Sequence, residues 1–473
     1  MDSSRIDGTW IAEEMASVDF GDLRLNRRFQ ILASELASKP SQPINQASVD
    51  WASAKAAYRF FDNSKVRAEN IVGPHILSTQ IRAQNCRRLI VVQDTSFIDF
   101  TKHIRTFDLG SIGKTPDGFE PQGLILHCAL ALSDKGLPLG LLSHKVWPRG
   151  KREKKDSHYE SLLPREKKES FKWFKGLKDT IKNTPNHEVI MVCDREADIY
   201  DFIEESVTEG VDFVIRVQHP RMLDDDLFGD INVFDRIALE PVHSRINIEV
   251  PGSGKREKRK ADLVVKFFPV IYSAYPRGIK TKQVSKRSHL ELHIVHLYEE
   301  NPPKGEGAIH WTLVTSLESK TQKEALEVVR FYKMRWQIEL YFKSLKTGCG
   351  VELCRLNSAD KLIRYITLQS VIAWRLLWMT FLNRIEPQRS CESFLTEDEW
   401  KTLWLKKHRR LIKSGQMKAI LPDKPPSTYD AVRWIAMQGG FLGRKGDGEP
   451  GQITIWRGWL DLMAAVEIYE VMK

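Results

Sequence analysis

Residues Arg88-Leu89-Ile90-Val91-Val92-Gln93-Asp94-Thr95 form a short, β-branched apolar run that closes on an aspartate. A run of this length and composition reads as a buried strand. The pattern returns at Glu188-Val189-Ile190-Met191-Val192-Cys193-Asp194, again closing on an aspartate. Between the two lie strand-like runs over 124–132 and 137–146, joined by the hairpin turn Ser133-Asp134-Lys135-Gly136. A charge-rich helical segment follows over about 158–182, with Phe171, Trp173 and Phe174 as its apolar positions. After Asp194 the pattern predicts a helix over 197–205 and a strand over 211–217.

Three antiparallel strands, helix, strand, helix, strand is the order of a ribonuclease-H-like α/β fold. In that sheet the first and fourth strands are neighbours. Functional groups gather at strand ends in open sheets, so Asp94 and Asp194 are expected to converge.

Outward from this core the texture changes on both sides. Residues 1–70 read as three short helices, with Asp22 and Asp50 as caps of the second and third. Arg24, Arg27 and Arg28 share one side of the second, and Lys55 and Arg59 one face of the third, with Trp51, Tyr58 and Phe61 elsewhere. This resembles a helix-turn-helix-like DNA-binding head, and fits equally a helical bundle with a solvated basic face. Residues 218–310 break the α/β alternation and are too long for a loop, so they read as a β-sheet insertion. The basic runs 151–155 and 255–260 fit either segments that track a DNA backbone or, the reading preferred, solvated loops, and Asp224, Asp225 and Asp226 read as a loop rather than a metal site. A strand over 311–316 leads back to the core, which is expected to span 71–369. Residues 370–473 read as a helical C-terminal domain, with a basic stretch at 406–413 and a glycine-rich loop over 439–451.

The chain has 473 residues, 42% hydrophobic and 28% charged, which suits a globular protein of two or three domains. Its net charge of +10 favours a polyanionic partner. The six scattered cysteines include no CxxC pair, so a zinc site or disulfide framework is not expected and a reducing cytoplasm is. The first residues lack an apolar signal core. The most apolar run, 368–382, contains Gln369 and Arg375 and falls short of the ~20 residues that cross a bilayer. It reads as a buried helix, and no membrane partner is expected.

The richest chemistry lies in Tyr332-Lys333-Met334-Arg335-Trp336-Gln337-Ile338-Glu339-Leu340-Tyr341-Phe342-Lys343-Ser344-Leu345-Lys346. Thr321 and Glu324 form a capping-box pattern before it, so the spacing predicts one helix over 321–346. Tyr332, Arg335, Glu339, Lys343 and Lys346 then share one face. Val329, Trp336 and Leu340 flank it on one side, and Phe331, Ile338 and Phe342 on the other. One carboxylate among cations suits a metal ligand surrounded by phosphate-binding groups. The same face also fits a solvated helix with i,i+4 ion pairs.

Asp94, Asp194 and Glu339 make three carboxylates with no partnering His or Cys. Such a set suits hard divalent cations, which also relieve the repulsion between converging acids. Two ions about 3.5–4 Å apart can activate a water or hydroxyl and stabilise the leaving oxygen of a phosphodiester.

These residues resemble the bacterial cut-and-paste DDE transposases of the insertion sequence four family, whose hallmark helix is Y-x2-R-x3-E-x6-K. Tyr332, Arg335, Glu339 and Lys346 match it in full. The contexts Gln93-Asp94-Thr95 and Val192-Cys193-Asp194-Arg195-Glu196-Ala197-Asp198 are similar to the family's, and the likeness extends from Gly21-Asp22 to Gly439-Gly440-Phe441. The resemblance implies that Asp94, Asp194 and Glu339 bind two Mg²⁺ or Mn²⁺ ions, while Tyr332, Arg335 and Lys346 hold phosphates. It implies that Trp311 stacks on a flipped base, that Arg216 lies near DNA, and that Arg28 and Arg59 bind transposon ends. Lys343 has the right face but lies outside the signature. The implied partners are double-stranded DNA, as inverted-repeat ends and as target, and a second copy of the chain joined through 370–473. The implied location is the bacterial cytoplasm, at the nucleoid. A structure-specific nuclease on the same fold, and a non-catalytic end-binding regulator, are the rival readings.

Overall fold

The computed structural model of the chain describes residues 9–150, 163–250, 258–274 and 288–472. The basic run 151–155 and residues 251–257 lie outside the described residues. The chain divides into two units. One comprises Met1–Cys86, Thr95–Arg152 and Gln337–Lys473; the other comprises Arg87–Asp94 and Glu153–Trp336.

The first unit opens with helices α1 (Trp10–Glu14), α2 (Leu23–Ser38), α3 (Ile44–Ala47), α4 (Trp51–Asp62) and α5 (Ala68–Ala83). Side-chain caps set two of their starts: Asp22 accepts from the Arg24 N–H and Asp50 from the Ser53 N–H. Phe20, Phe29, Phe60 and Phe61 interlock beneath α2 and α4, with ring centroids 5.4–5.7 Å apart. Helix α4 differs from the expectation in one respect. Trp51 and Tyr58 are exposed and lie at i and i+7 with Lys55 and Arg59, so the aromatics share the basic face.

Strand β1 (Arg88–Asp99) passes from one unit to the other at Asp94. Within the first unit, β2 (Gly110–Ser111) and β4 (Pro138–Trp147) pair antiparallel with successive stretches of β3 (Gln122–Ser133), whose other neighbour is β1. Residues 123–132 of β3 are buried without a break, the mark of a strand covered on both faces.

The second unit builds a mixed sheet. Its elements are α6 (Phe171–Asn183), β5 (Glu188–Cys193), α7 (Tyr200–Thr208), β6 (Asp212–Arg216), β7 (Met222–Asp225), β8 (Gly229–Asn232), α8 (Val233–Leu239), β9 (Ser244–Val250), β10 (Arg259–Ala274), β11 (Ser288–Glu299), β12 (His310–Thr315) and α9 (Gln322–Met334). The strands run in the order β1-β5-β6-β12-β11-β10-β7-β8, with β9 on β10. β1, β5 and β6 are parallel, whereas β6, β12, β11 and β10 alternate. Residues 218–310 therefore extend the core sheet through β12, which pairs with β6 on one side and β11 on the other. Asp224 and Asp225 belong to β7 rather than to a loop.

The first unit closes with α10 (Trp336–Lys343), a π turn at Ser344–Gly348, α11 (Ala359–Ile385), α12 (Glu397–Lys413), α13 (Thr428–Gln438) and α14 (Gln452–Met472). At 27 residues, α11 is longer than the predicted run and passes the length and composition test for a membrane span. Its most apolar window is 94% buried inside the structure, as a core helix is. Helices α13 and α14 cross closely at Gly458, where any Cβ would lie 1.7 Å from the Ile435 carbonyl oxygen.

Candidate active site

Parallel pairing of β1 and β5 sets the site. Arg88 is registered with Glu188 and the register runs unbroken to Gln93 with Cys193. The next residues, Asp94 and Asp194, therefore lie side by side, about 4.8 Å apart in backbone spacing. Alternation sends Gln93 to one face of the sheet and Asp94 to the other. Gln93 meets α6 at Gly176, where a Cβ would fall 2.2 Å from the Gln93 Oε1, so only a glycine admits the helix there. Asp94 is not at a strand end: β1 continues to Asp99, because the polar side chains at 93–96 end the apolar run but not the backbone pairing.

Helix α9 supplies the next groups. Thr321 and Glu324 form the expected capping box. The helix predicted over 321–346 is interrupted at Arg335, whose N–H bonds to the Tyr332 carbonyl three residues back instead of four. A π turn at Ser344–Gly348 then shifts Lys346 from its ideal angular position. Arg335 Nη1 donates to Asp94 Oδ2 at 2.8 Å, and both side chains are largely buried. Tyr332 is buried and meets Trp311 edge-on at 5.2 Å. Its phenol hydrogen-bonds Arg216, which also donates to the His310 carbonyl at 3.0 Å. Trp311 is half-buried, and Trp336, expected as an apolar flank, is 61% exposed.

The second unit thus brings together Asp94, Asp194, Arg335, Tyr332, Arg216 and Trp311. Glu339, Lys343 and Lys346 belong to the first unit, Lys343 exposed and the other two half-buried. Arg28 is half-buried on α2 and Arg59 exposed on α4, in that same unit.

Charge in the cluster is unbalanced. Burial pushes the Asp194 carboxyl above its ordinary range; the Glu196 N–H, Arg335 and Lys172 pull it down, but not enough to reverse the shift. Burial also pushes the Tyr332 phenol up, against the nearby Arg335 and Arg216.

Two participants escaped the sequence reading. Lys172, in the first turn of α6, is buried with its Nζ 3.1 Å from Glu196. Asp198 is almost fully buried and accepts from Gln218 N–H at 2.8 Å, His219 N–H at 2.9 Å and Arg221 Nε at 2.7 Å. It thereby clamps the turn that follows Arg216. For Asp198 a signal existed, since it stands four residues past Asp194 in an acid-rich stretch. Lys172 carried none.

Among the described residues no three His, Cys, Asp or Glu side chains form a ready metal-binding group. Asp94 and Asp194 still fit a hard divalent cation: adjacent oxygen donors, one of them burdened by desolvation, with cations at their edge.

Carboxylates set among arginine, lysine and tyrosine donors on a mixed sheet compose a site for a nucleic-acid backbone. The comparisons narrow the class. Residues 7–66 match the family "Transposase DNA-binding", residues 172–376 "Transposase DDE domain", and residues 371–471 "Transposase Tn5 dimerisation domain". The chain carries the DNA-binding, DDE and dimerisation domains of Tn5-type transposases, which supports a DDE transposase, a nucleic-acid-cutting enzyme. Asp194, Tyr332, Arg335, Glu339 and Lys346 fall inside the DDE match; Asp94 lies before it and joins through the β1–β5 register.

Proposed function

We propose that this chain is a cut-and-paste transposase of the insertion sequence four type, with a ribonuclease-H-like core. The observation that carries the reading is the side-by-side placement of Asp94 and Asp194 with Arg335 against Asp94. In this reading Asp94, Asp194 and Glu339 hold two Mg²⁺ or Mn²⁺ ions. Bound there, the ions supply Lewis acidity for hydrolysis and for strand transfer.

The chain's own groups position the DNA. Arg335 holds Asp94 before DNA arrives and a phosphate afterwards. Tyr332, Arg216, Lys343 and Lys346 take neighbouring phosphates, and Trp311 offers a face on which an extruded base stacks. Water attacks the scissile phosphorus at the transposon end and releases a 3′-OH. That hydroxyl attacks the opposite strand, forming a hairpin and freeing the flanking DNA. A second water reopens the hairpin, and the 3′-OH then attacks target DNA.

The helical head, including Arg28 and Arg59, binds the inverted repeats, and two copies assemble through 370–473. The location proposed with this reading is the bacterial cytoplasm, at the nucleoid.

The test is a metal-dependent assay on DNA carrying the inverted repeats that flank the gene. Asp94→Asn, Asp194→Asn and Glu339→Gln are each expected to stop cutting. Intact cutting in all three would refute the assignment, and cutting without joined products on a target plasmid would make the protein a nuclease instead.

A further inference from the structure

A cavity lined by arginines, glutamates and tryptophans lies within the first unit. It is an open cleft of about 560 Å³, in the range of small-molecule sites. Trp10 of α1, Ile81 and Arg82 of α5, and Trp374, Arg375 and Trp378 of α11 form its principal walls.

The two arginines differ. Arg82 is satisfied: it grips both Glu14 oxygens at 2.7 and 2.9 Å and stacks on Trp374 at 4.1 Å. Arg375 is only 7% exposed, yet it has no ion pair among the described residues. Its Nη2 donates to the Phe394 carbonyl at 2.8 Å, while its Nε is buried without a hydrogen-bond partner. Trp378 and Trp10 face its guanidinium at 4.4 and 5.0 Å. Those rings stabilise the cation through their faces but accept none of its in-plane N–H groups. The Glu14, Glu399 and Glu13 charges reach it from a distance, but its Nε–H has no acceptor, which is costly for a buried group, and here it borders a cavity large enough to admit one.

The rest of the lining says which anion. Trp374 and Trp378 stack at 6.0 Å and present flat apolar surface. Glu13, Glu392 and Glu397 are exposed lining groups, Glu14 is taken up by Arg82, and Arg389 is the third cation; with four glutamates against three arginines the lining disfavours a multiply charged anion. We propose that this cavity binds a monocarboxylate with a flat apolar body, its carboxylate paired to Arg375 and its body against the tryptophans. An occupant there bridges α1 and α11.

Titration of the full-length protein with benzoate at constant ionic strength, followed by tryptophan fluorescence and calorimetry, tests this. Saturable binding is expected, with neutral benzamide weaker by roughly ten-fold or more, the scale of a charged hydrogen bond. Arg375→Gln is expected to lose that discrimination. Because this variant risks misfolding, Ser78→Trp serves as the second: it fills the cavity and leaves Arg375 in place. Loss of benzoate binding in Ser78→Trp, with an unchanged circular dichroism spectrum, supports the site. No saturable benzoate binding, equal affinity for benzamide, tighter binding of inorganic phosphate, or full binding by Ser78→Trp overturns it.

Discussion

Glu14 and Asp94 each hold an arginine at close range, and the two clusters differ in what surrounds the pair. Around Glu14, in the first unit, Arg82 and His75 both find partners. Arg82 takes both oxygens, and His75 Nδ1 donates to one of them. The His75 ring is neutral, because its Nε2 accepts from the Leu141 N–H and burial pushes its pKa down. Burial alone would raise Glu14, but the hydrogen bonds from His75 and Arg82 and the Arg82 charge reverse it and bring the carboxyl down to about 2. In the second unit, Arg335 sits on Asp94 while neighbouring Asp194 is left raised by burial. The first cluster is complete within the fold and holds α1, α5 and β4 together. In the second, burial leaves the Asp194 carboxyl raised in spite of the cations beside it, the condition in which a carboxylate gains by taking a metal ion.

Substitution should separate the two most sharply. Asp194→Asn is expected to cut DNA cleavage by at least about 10²–10³-fold, the scale for removing a preorganised electrostatic group. Its melting temperature should hold or rise, since it removes a charge that burial penalises. Glu14→Gln should do the reverse. It leaves half-buried Arg82 and buried His75 beside a weaker partner and is expected to cost about 3 kcal/mol by denaturant unfolding, with cleavage at permissive temperature retained. If both variants melted lower by similar amounts, the contrast would be lost.

Acid titration of stability sharpens the same comparison, with opposite signs. Glu14 is lowered from 4.5 to about 2, so its contribution is full above pH 4.5 and is lost as pH falls towards 2. Glu14→Gln should flatten that slope. Asp194 is raised from 3.8, so its ionisation costs stability as pH rises through 3.8, and Asp194→Asn should remove a loss rather than a gain. Circular-dichroism melts across pH 2–6 measure both.

Within the second cluster, Arg335→Lys keeps the charge but loses the planar fork. Cleavage should fall by roughly ten-fold or more, with the protein's melting temperature little changed. The smallest expected effect lies in the head: Arg59→Ala should lower the slope of log affinity for end DNA against log salt by about one. An unchanged slope would remove Arg59 from the DNA interface.

What was legible in the sequence was local chemistry. Asp22, Asp50 and the Thr321–Glu324 box mark helix starts because the capping groups lie within three residues of the N–H they satisfy. The two strands with terminal-looking aspartates were equally legible, since burial on both faces writes an unbroken apolar run. Their pairing followed from fold order alone. Features that depend on distant partners were not legible. The Glu14–His75–Arg82 cluster joins residues more than 60 positions apart. Helix α5 contains Gly73 and Pro74, residues that ordinarily end a helix, and persists because it packs on β4. The interruption at Arg335 and the π turn at Ser344–Gly348 have no proline or local signal at their start. They change which residues share a face, so an angular projection of 332–346 was bound to err. Lys172 reaches Glu196 only because α6 lies on the sheet.

The central claim is that Asp94, Asp194 and Glu339 share a divalent cation. Iron-directed cleavage tests it without relying on activity: Fe²⁺ replaces Mg²⁺ in the protein bound to inverted-repeat DNA, and ascorbate and peroxide then cut the polypeptide beside the metal. The account predicts scission clustered near residues 94, 194 and 339, suppressed by excess Mg²⁺ and by Asp194→Asn. Scission confined to other segments, or missing at two of the three while the DNA stays bound, would contradict it.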